Sequence, residues 1–194
     1  MLVPRKPTPP LSLPLVGGGR FDLDADPGAT RGTLLAVYRG LHCPLCLGQL
    51  QELDAIVDDL AARGVTALAL STDDAGRAAE MRRRAGVERL RVAHSLGLGE
   101  ARDWGLYLST SNGRTSAGVE EPALFAEPGL FLVGPGRSLY FASVQTMPFL
   151  RPSLAGLPGV LDMVIERAYP ARGEYVGPLP ETGARPPFDA AAPA

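Results

Sequence analysis

The chain has 194 residues, with 23 glycines and 19 prolines, a hydrophobic fraction of 45% and a formal net charge of −2. No Gly-X-Y period accompanies the glycines, which excludes a collagen-like chain, and the apolar content is far above that of a disordered one. The near-neutral charge excludes a basic surface for nucleic acid or anionic membrane. No segment offers 18 uninterrupted apolar residues, so the sequence predicts a cytoplasmic protein with neither a nucleic-acid nor a membrane partner.

Residues 1–20 are proline-rich and end in Gly17-Gly18-Gly19, which predicts an extended arm lying on the domain. The domain itself is expected over residues 21–168, a length that supports one hydrophobic core. Asp22, Asp24 and Asp26 alternate like a calcium loop, but Pro27 follows and no Glu closes the loop, so they read as a turn. Thr33 to Tyr38 is a short apolar run suited to a buried strand. After it, Leu50, Leu53, Ile56, Val57, Leu60 and Ala61 recur at helical spacing as far as Arg63, and Gly64 is the stop. Val65 to Leu70 is again strand-like. Ser71-Thr72-Asp73-Asp74 offers N-cap chemistry for a helix through Ala85 that ends at Gly86. This order predicts a parallel βαβ unit with a right-handed crossover.

The run Arg82-Arg83-Arg84 is expected on a solvated helix face. In the second half the expected elements are a strand at Leu90–Ala93, a short helix at Leu98–Trp104 and a loop over Ser109–Gly118. Two strands follow, Gly129–Val133 and Leu139–Ser143, joined by the turn-formers Gly134 to Arg137. A final helix near Leu154 to Arg167 must accommodate Gly156, Pro158 and Gly159, so Val160–Arg167 is its regular part. Trp104 and Tyr107 are expected in the core, with the rim of the pocket as the alternative. Residues 169–194 lack any period and read as a tail.

The chemistry concentrates at Cys43-Pro44-Leu45-Cys46, where the first strand passes into the first long helix. Proline suits the first helical position, since its missing N–H would be unpaired there anyway, and this places Cys43 at the N-cap. The helix N-terminus stabilises a thiolate, so Cys43 is expected to be nucleophilic at neutral pH, with Cys46 deeper and within disulfide reach. Arg39 and His42 flank the pair and can add positive potential. Their alternative readings are a solvated surface charge for Arg39 and a packing or gating role for His42. A Cys₂His₂ zinc site would recruit His42 and His94, but His42 abutting Cys43 is poor spacing for one tetrahedral ion. The sequence therefore predicts a redox pair with no metal and no cofactor; two buried cysteines without chemistry are the bland alternative.

The segment Tyr38-Arg39-Gly40-Leu41-His42-Cys43-Pro44-Leu45-Cys46 resembles the active-site segment of the AhpC/TSA superfamily, in its peroxiredoxin-like branch with a C-P-x-C motif. Leu68 to Asp73, Glu127 to Val133 and Tyr169 to Gly173 also resemble segments of that branch, so the likeness runs from about Leu11 to Gly173. It implies an α/β thioredoxin-like fold: a central mixed sheet flanked by helices, with an N-terminal extension. It also implies an enzyme that cycles Cys43 and Cys46 between dithiol and disulfide, with a peroxide or a disulfide as substrate and a thiol as electron donor. A homodimer is compatible with the resemblance, and Met147-Pro148-Phe149 matches an apolar loop near the active site. Arg39, His42, Pro44 and Pro128 are the site-shaping residues it indicates, Pro128 at the position of a cis-proline that faces the cysteines. The chain departs from the family pattern twice. If Cys46 takes the peroxidatic position, Cys43 stands where threonine or serine is usual and Arg39 where proline is. Pro128 likewise stands where an activating arginine is expected. A non-catalytic module on the same fold is the reading from another functional class.

Overall fold

A computed structural model describes residues 2–26, 28–146 and 148–179. Strands β1 (Ser12–Pro14) and β2 (Arg20–Asp22) pair antiparallel around the glycine triplet. They are followed by β3 (Gly32–Val37), α1 (Pro44–Ala55), α2 (Val57–Ala62), β4 (Val65–Leu70), α3 (Ala75–Ala85) and β5 (Arg91–Ala93). The second half comprises α4 (Leu98–Asp103), β6 (Leu108–Thr110), β7 (Leu124–Ala126), β8 (Gly129–Val133), β9 (Leu139–Val144) and α5 (Leu157–Glu166). The central sheet has the order β5-β4-β3-β8-β9. Its β3, β4 and β5 are parallel, while β8 runs antiparallel to both β3 and β9. This is the mixed sheet flanked by helices that the family resemblance implies.

The side-chain alternation of the three central strands divides the core into two layers. Leu34 and Ala36 of β3, Val65, Ala67 and Ala69 of β4 and Leu130 of β8 face one side, where they meet Leu50 and Leu53 of α1, Leu60 of α2, Met81 of α3 and Leu161 of α5. Leu35, Val37, Leu68, Leu70, Phe131 and Val133 face the other. There they are covered by Ala101 of α4, Trp104, and Leu13 and Phe21 of the first hairpin. Strands buried on both faces read as continuous apolar runs, which is how β3, β4 and β8 appear in the sequence.

Local chemistry sets the helix ends. Asp74 caps α3 by accepting the Arg77 N–H at 2.8 Å, and Gly86 closes the helix in the left-handed region at φ +64°. The single helix expected up to Arg63 is broken at Ile56 (φ −108°, ψ 4°), a β-branched residue that is turned into the core. The expected loop at Ser109–Gly118 begins inside a small hairpin, because β6 pairs with β7. Both strands have only three residues and no sustained alternation for the sequence to display. Helix α5 begins at Leu157 with Pro158 in its first turn, where a proline is tolerated.

In the segment expected as an arm, Leu11 and Leu13 are buried and the Arg5 N–H donates to the Leu139 carbonyl. Trp104 is in the core as expected, but Tyr107 is exposed. The Asp residues of the N-terminal turn serve structure: Asp26 accepts from both Nη atoms of Arg91 at 2.6 and 2.8 Å, and Asp22 accepts the Asp24 N–H. In the arginine run, Arg83 and Arg84 pair with Glu80 on the surface. Of the expected tail, residues 180–194 lie outside the described residues. Among the described residues no helix is long and apolar enough to cross a membrane.

Phe131 is buried at the centre of the sheet and meets the Trp104 ring edge-on at 5.2 Å between centroids. Phe131→Ala is expected to lower unfolding stability by about 3–5 kcal/mol, read as a reduced midpoint in urea denaturation.

Candidate active site

Strand β3 ends at Val37 and delivers the chain through Tyr38 to a tight turn ahead of α1. Gly40 is required in that turn. Its φ is +138°, and a Cβ there would lie 2.8 Å from Asp73 Oδ1. The Asp73 side chain, fully buried, accepts the Leu41 N–H at 2.7 Å through Oδ2 and Arg77 Nε at 2.9 Å through Oδ1. Burial raises its pKa, with the hydrogen bonds from Arg77 and Leu41 opposing the shift. A carboxylate from the end of β4 thus pins the backbone two residues before Cys43. The turn is clamped from the opposite side by Thr115, whose hydroxyl donates to the His42 carbonyl at 2.7 Å.

Cys43 occupies the N-cap of α1 in extended conformation, with Pro44 starting the helix and Cys46 one turn on. Both cysteines are reduced and almost wholly buried, Cys43 at 2% exposure and Cys46 at 0%. Arg151 supplies the charge at the pair. Its Nη1 and Nη2 each lie 3.3 Å from Cys46 Sγ, and Nη2 lies 3.5 Å from Cys43 Sγ. The Cys46 thiol donates to the Cys43 sulfur, which outweighs burial; together with the Arg151 charge it brings the Cys43 pKa down to about 5. Burial, and the donation to Cys43, push Cys46 well above its ordinary value. One negative charge is therefore shared by two sulfurs and one guanidinium. Burial alone would weaken the protonation of Arg151, but the sulfurs reverse that and raise its pKa.

Arg151 lies in the segment between β9 and α5, and nothing local marks it in the sequence. It brings a guanidinium to the pair from a different part of the chain than the Pro128 position, where the family pattern expects one. Arg39, by contrast, is turned away from the expected role. Its Nε lies 3.1 Å from Glu127 Oε2, its Nη2 lies 3.5 Å from Glu121 Oε1, and its guanidinium sits 4.8 Å over the Phe125 ring. It is neither a solvated charge nor the cation at the thiols, because two largely buried carboxylates compete for it.

His42 is completely buried, packed at 4.5 Å against Phe125, and neither ring nitrogen has a hydrogen-bond partner. Burial, reinforced by the Arg39 charge, lowers its pKa to about 4. It is a buried, neutral ring at neutral pH. His94 pairs instead with Ser95 Oγ. Among the described residues, no three His, Cys, Asp or Glu side chains converge on a point that could hold a metal ion.

Pro128 requires a correction. No cis peptide bond occurs among the described residues, so the Glu127–Pro128 bond is trans. Trans is the ordinary state of an X–Pro bond, and on either side of it the Glu127 N–H donates to the Tyr107 carbonyl and the Pro128 carbonyl accepts from Gln145. In the apolar loop, Met147 lies outside the described residues, while Phe149 and Leu150 beside Arg151 are strongly exposed.

The AhpC/TSA family model matches residues 4–141. That span holds the cysteine pair and the β8 segment but stops short of Tyr169 to Gly173. A search of curated proteins found no match. Among solved structures, the peroxidoxin BcpB of Mycobacterium tuberculosis superposes with a TM-score of 0.62 at 14% identity, over 87% of this chain and 99% of that one. A cysteine-to-serine mutant of peroxiredoxin 6 of Arenicola marina gives 0.67 at 16% identity, over 87% and 76%. The reduced 2-Cys peroxiredoxin of Plasmodium vivax gives 0.67 at 14%, over 87% and 86%. At these identities the likeness is one of fold, and the fold is the thioredoxin-like one.

The unpaired, buried His42 ring resists protonation. The unfolded chain takes up a proton near the ordinary histidine pKa of about 6.5 and the folded chain only near about 4. In that window the unfolded state binds the extra proton, so stability is lost as pH falls from about 6.5 toward about 4. His42→Phe is expected to flatten this part of the stability–pH curve, measured by denaturant midpoints.

Proposed function

The chain belongs to the AhpC/TSA family, and we propose that it is a thiol peroxidase in which Cys43 is the nucleophile, Cys46 the resolving thiol and Arg151 the activating cation. The family makes it a peroxiredoxin-like thiol redox enzyme. The observation that supports the assignment of roles is the contact of one guanidinium with both sulfurs at a helix N-terminus. A thiolate there is stabilised by the helix dipole and by a fixed cation in a site shielded from water.

The Cys43 thiolate attacks the distal oxygen of a hydroperoxide, ROOH. An S–O bond forms, the O–O bond breaks and the alkoxide takes a proton to leave as ROH. Cys43 is now a sulfenic acid. The Cys46 sulfur then attacks the Cys43 sulfur, an S–S bond forms, and the sulfenic oxygen departs as water with the Cys46 proton. Cys43 caps α1 and Cys46 lies in its first turn, so this step needs no unwinding of the helix. The disulfide is returned to the dithiol by two electrons and two protons from an external thiol donor.

Near-complete burial of both sulfurs favours a small peroxide over a bulky disulfide as the oxidising substrate. A disulfide substrate is the second reading, carried by the closeness of the two thiols. Rapid mixing of the reduced protein with peroxide discriminates between them. Peroxidase function gives fast oxidation, a mass loss of two hydrogens and no alkylatable thiol. Slow oxidation with reduction of insulin disulfides supports the second reading. Neither reaction leaves a non-catalytic module.

The Cys43 pKa of about 5 predicts an iodoacetamide alkylation rate that is flat from about pH 6 to 8 and falls below about pH 5. Arg151→Met is expected to move the midpoint toward the ordinary thiol value of about 8.5 and to slow alkylation at pH 6 on the order of tenfold. An unchanged profile in this variant would remove Arg151 from the proposed role.

A further inference from the structure

Arg151 lies between β9 and α5, where the described residues 145–146 and 148–156 form no helix or strand. At the start of this stretch the Gln145 N–H donates to the Pro128 carbonyl. At its far end Leu154 is buried in the helical layer of the core. Between these points Phe149 and Leu150 project into solvent at 74% and 72% exposure. Within the segment Arg151 Nε donates to the Pro148 carbonyl at 3.0 Å, but with so few apolar anchors the segment leaves a long cationic side chain costly to fix, in backbone and side-chain entropy.

Helix α1 supplies the missing anchors. Gln49 Oε1 accepts a hydrogen bond from Arg151 Nη1. One turn further, a single oxygen of Glu52, Oε1, accepts from Ser153 Oγ at 2.7 Å, from the Leu154 N–H at 2.7 Å and from the Ala155 N–H at 2.9 Å. Cys46, Gln49 and Glu52 form a row of neighbours three residues apart on the helix that carries the thiols. The thiol, the residue bonded to its cation and the residue holding that cation's segment are thus built on one rigid element. Hydrogen bonds to an ionised carboxylate are the stronger kind, about twice the neutral ones. Burial alone would raise the Glu52 pKa, but the donors from Ser153, Ala155 and Leu154 hold it below the usual carboxylate value, so it is ionised wherever the Cys43 thiolate exists.

We infer that Glu52 is a positioning residue for the thiol chemistry: by clamping residues 153–155 to α1 it fixes the segment that carries Arg151 and so holds the guanidinium over both sulfurs. Glu52 touches neither sulfur nor substrate and acts only through Arg151. The inference rests on the reading that the Cys43 thiolate is the reactive group, but not on which oxidant it meets.

The test is the pH profile of Cys43 alkylation in the full-length Cys46→Ser background, which leaves one thiol to label, combined with a double-mutant cycle. Glu52→Ala is expected to shift the alkylation midpoint upward and slow the reaction at pH 6 by several-fold, with little change at pH 9.5, where every variant is ionised. Glu52→Gln, which keeps an acceptor without the charge, is expected to restore part of the loss. Glu52→Ala added to Arg151→Met is expected to have no further effect, because the group through which Glu52 acts is gone. A wild-type profile for Glu52→Ala overturns the proposal, whether or not its thermal midpoint falls, because a purely structural role would lower stability without moving the titration. Equal slowing at both pH values, or full additivity with Arg151→Met, also overturns it. Peroxide consumption is recorded separately on proteins with both cysteines. If peroxide is not reduced while the titration shifts as expected, the peroxidase reading fails and the positioning role stands.

Discussion

A thiolate buried among apolar side chains is unstable unless positive charge is fixed beside it, and in this protein the groups that lie beside the two buried sulfurs are Arg151 and the N-terminus of α1. The surrounding architecture serves the arrangement. Strand β3 points the chain at the site, Pro44 starts the helix at the next residue, and Gly40 makes room for the Asp73 carboxylate that holds the turn. From the far side of the site, the segment after β9 reaches back over the helix with the guanidinium. Removing water from the pair strengthens each of these interactions, because the same charge separation counts for more in a medium of low polarity.

Two charge networks lie side by side and have separate tasks. Arg151 faces the sulfurs, whereas Arg39 is engaged by Glu121 and Glu127 and stacks on Phe125. Glu121 also accepts the Asn112 N–H, and Glu127 accepts the Ser109 hydroxyl. This second network ties the β6–β7 hairpin to the turn before Cys43, and Thr115 completes the link at the His42 carbonyl. His42 fills the space between the networks as a neutral ring. A charged ring there would face the Arg39 and Arg77 cations from within a dry site.

Much of this was legible in the sequence because it depends on neighbours along the chain. The apolar runs of β3, β4 and β8, the cap at Asp74, the stop at Gly86 and the Cys43-Pro44 helix start are local events, set by side-chain periodicity and backbone preference within a few residues. The short β6–β7 hairpin and the break at Ile56 were not legible, since three-residue strands show no period and the break follows from packing against the core. The backbone pairing around Pro128 was not legible either, because its partners, Tyr107 and Gln145, are 21 and 17 positions away.

By itself the sequence determined the α/β class, the parallel βαβ unit and the placement of two cysteines at the mouth of a helix, which marks them as a candidate redox pair. Only the tertiary structure decided which cation lies beside that pair. Arg39 is four residues from Cys43 and is drawn off by two carboxylates, while Arg151, 108 residues away, is brought to within 3.5 Å of both sulfurs. Charges act through space, and the distance between them is set by how the layers pack and by the row of α1 side chains that holds the Arg151 segment in place, neither of which leaves a periodic or compositional trace along the chain.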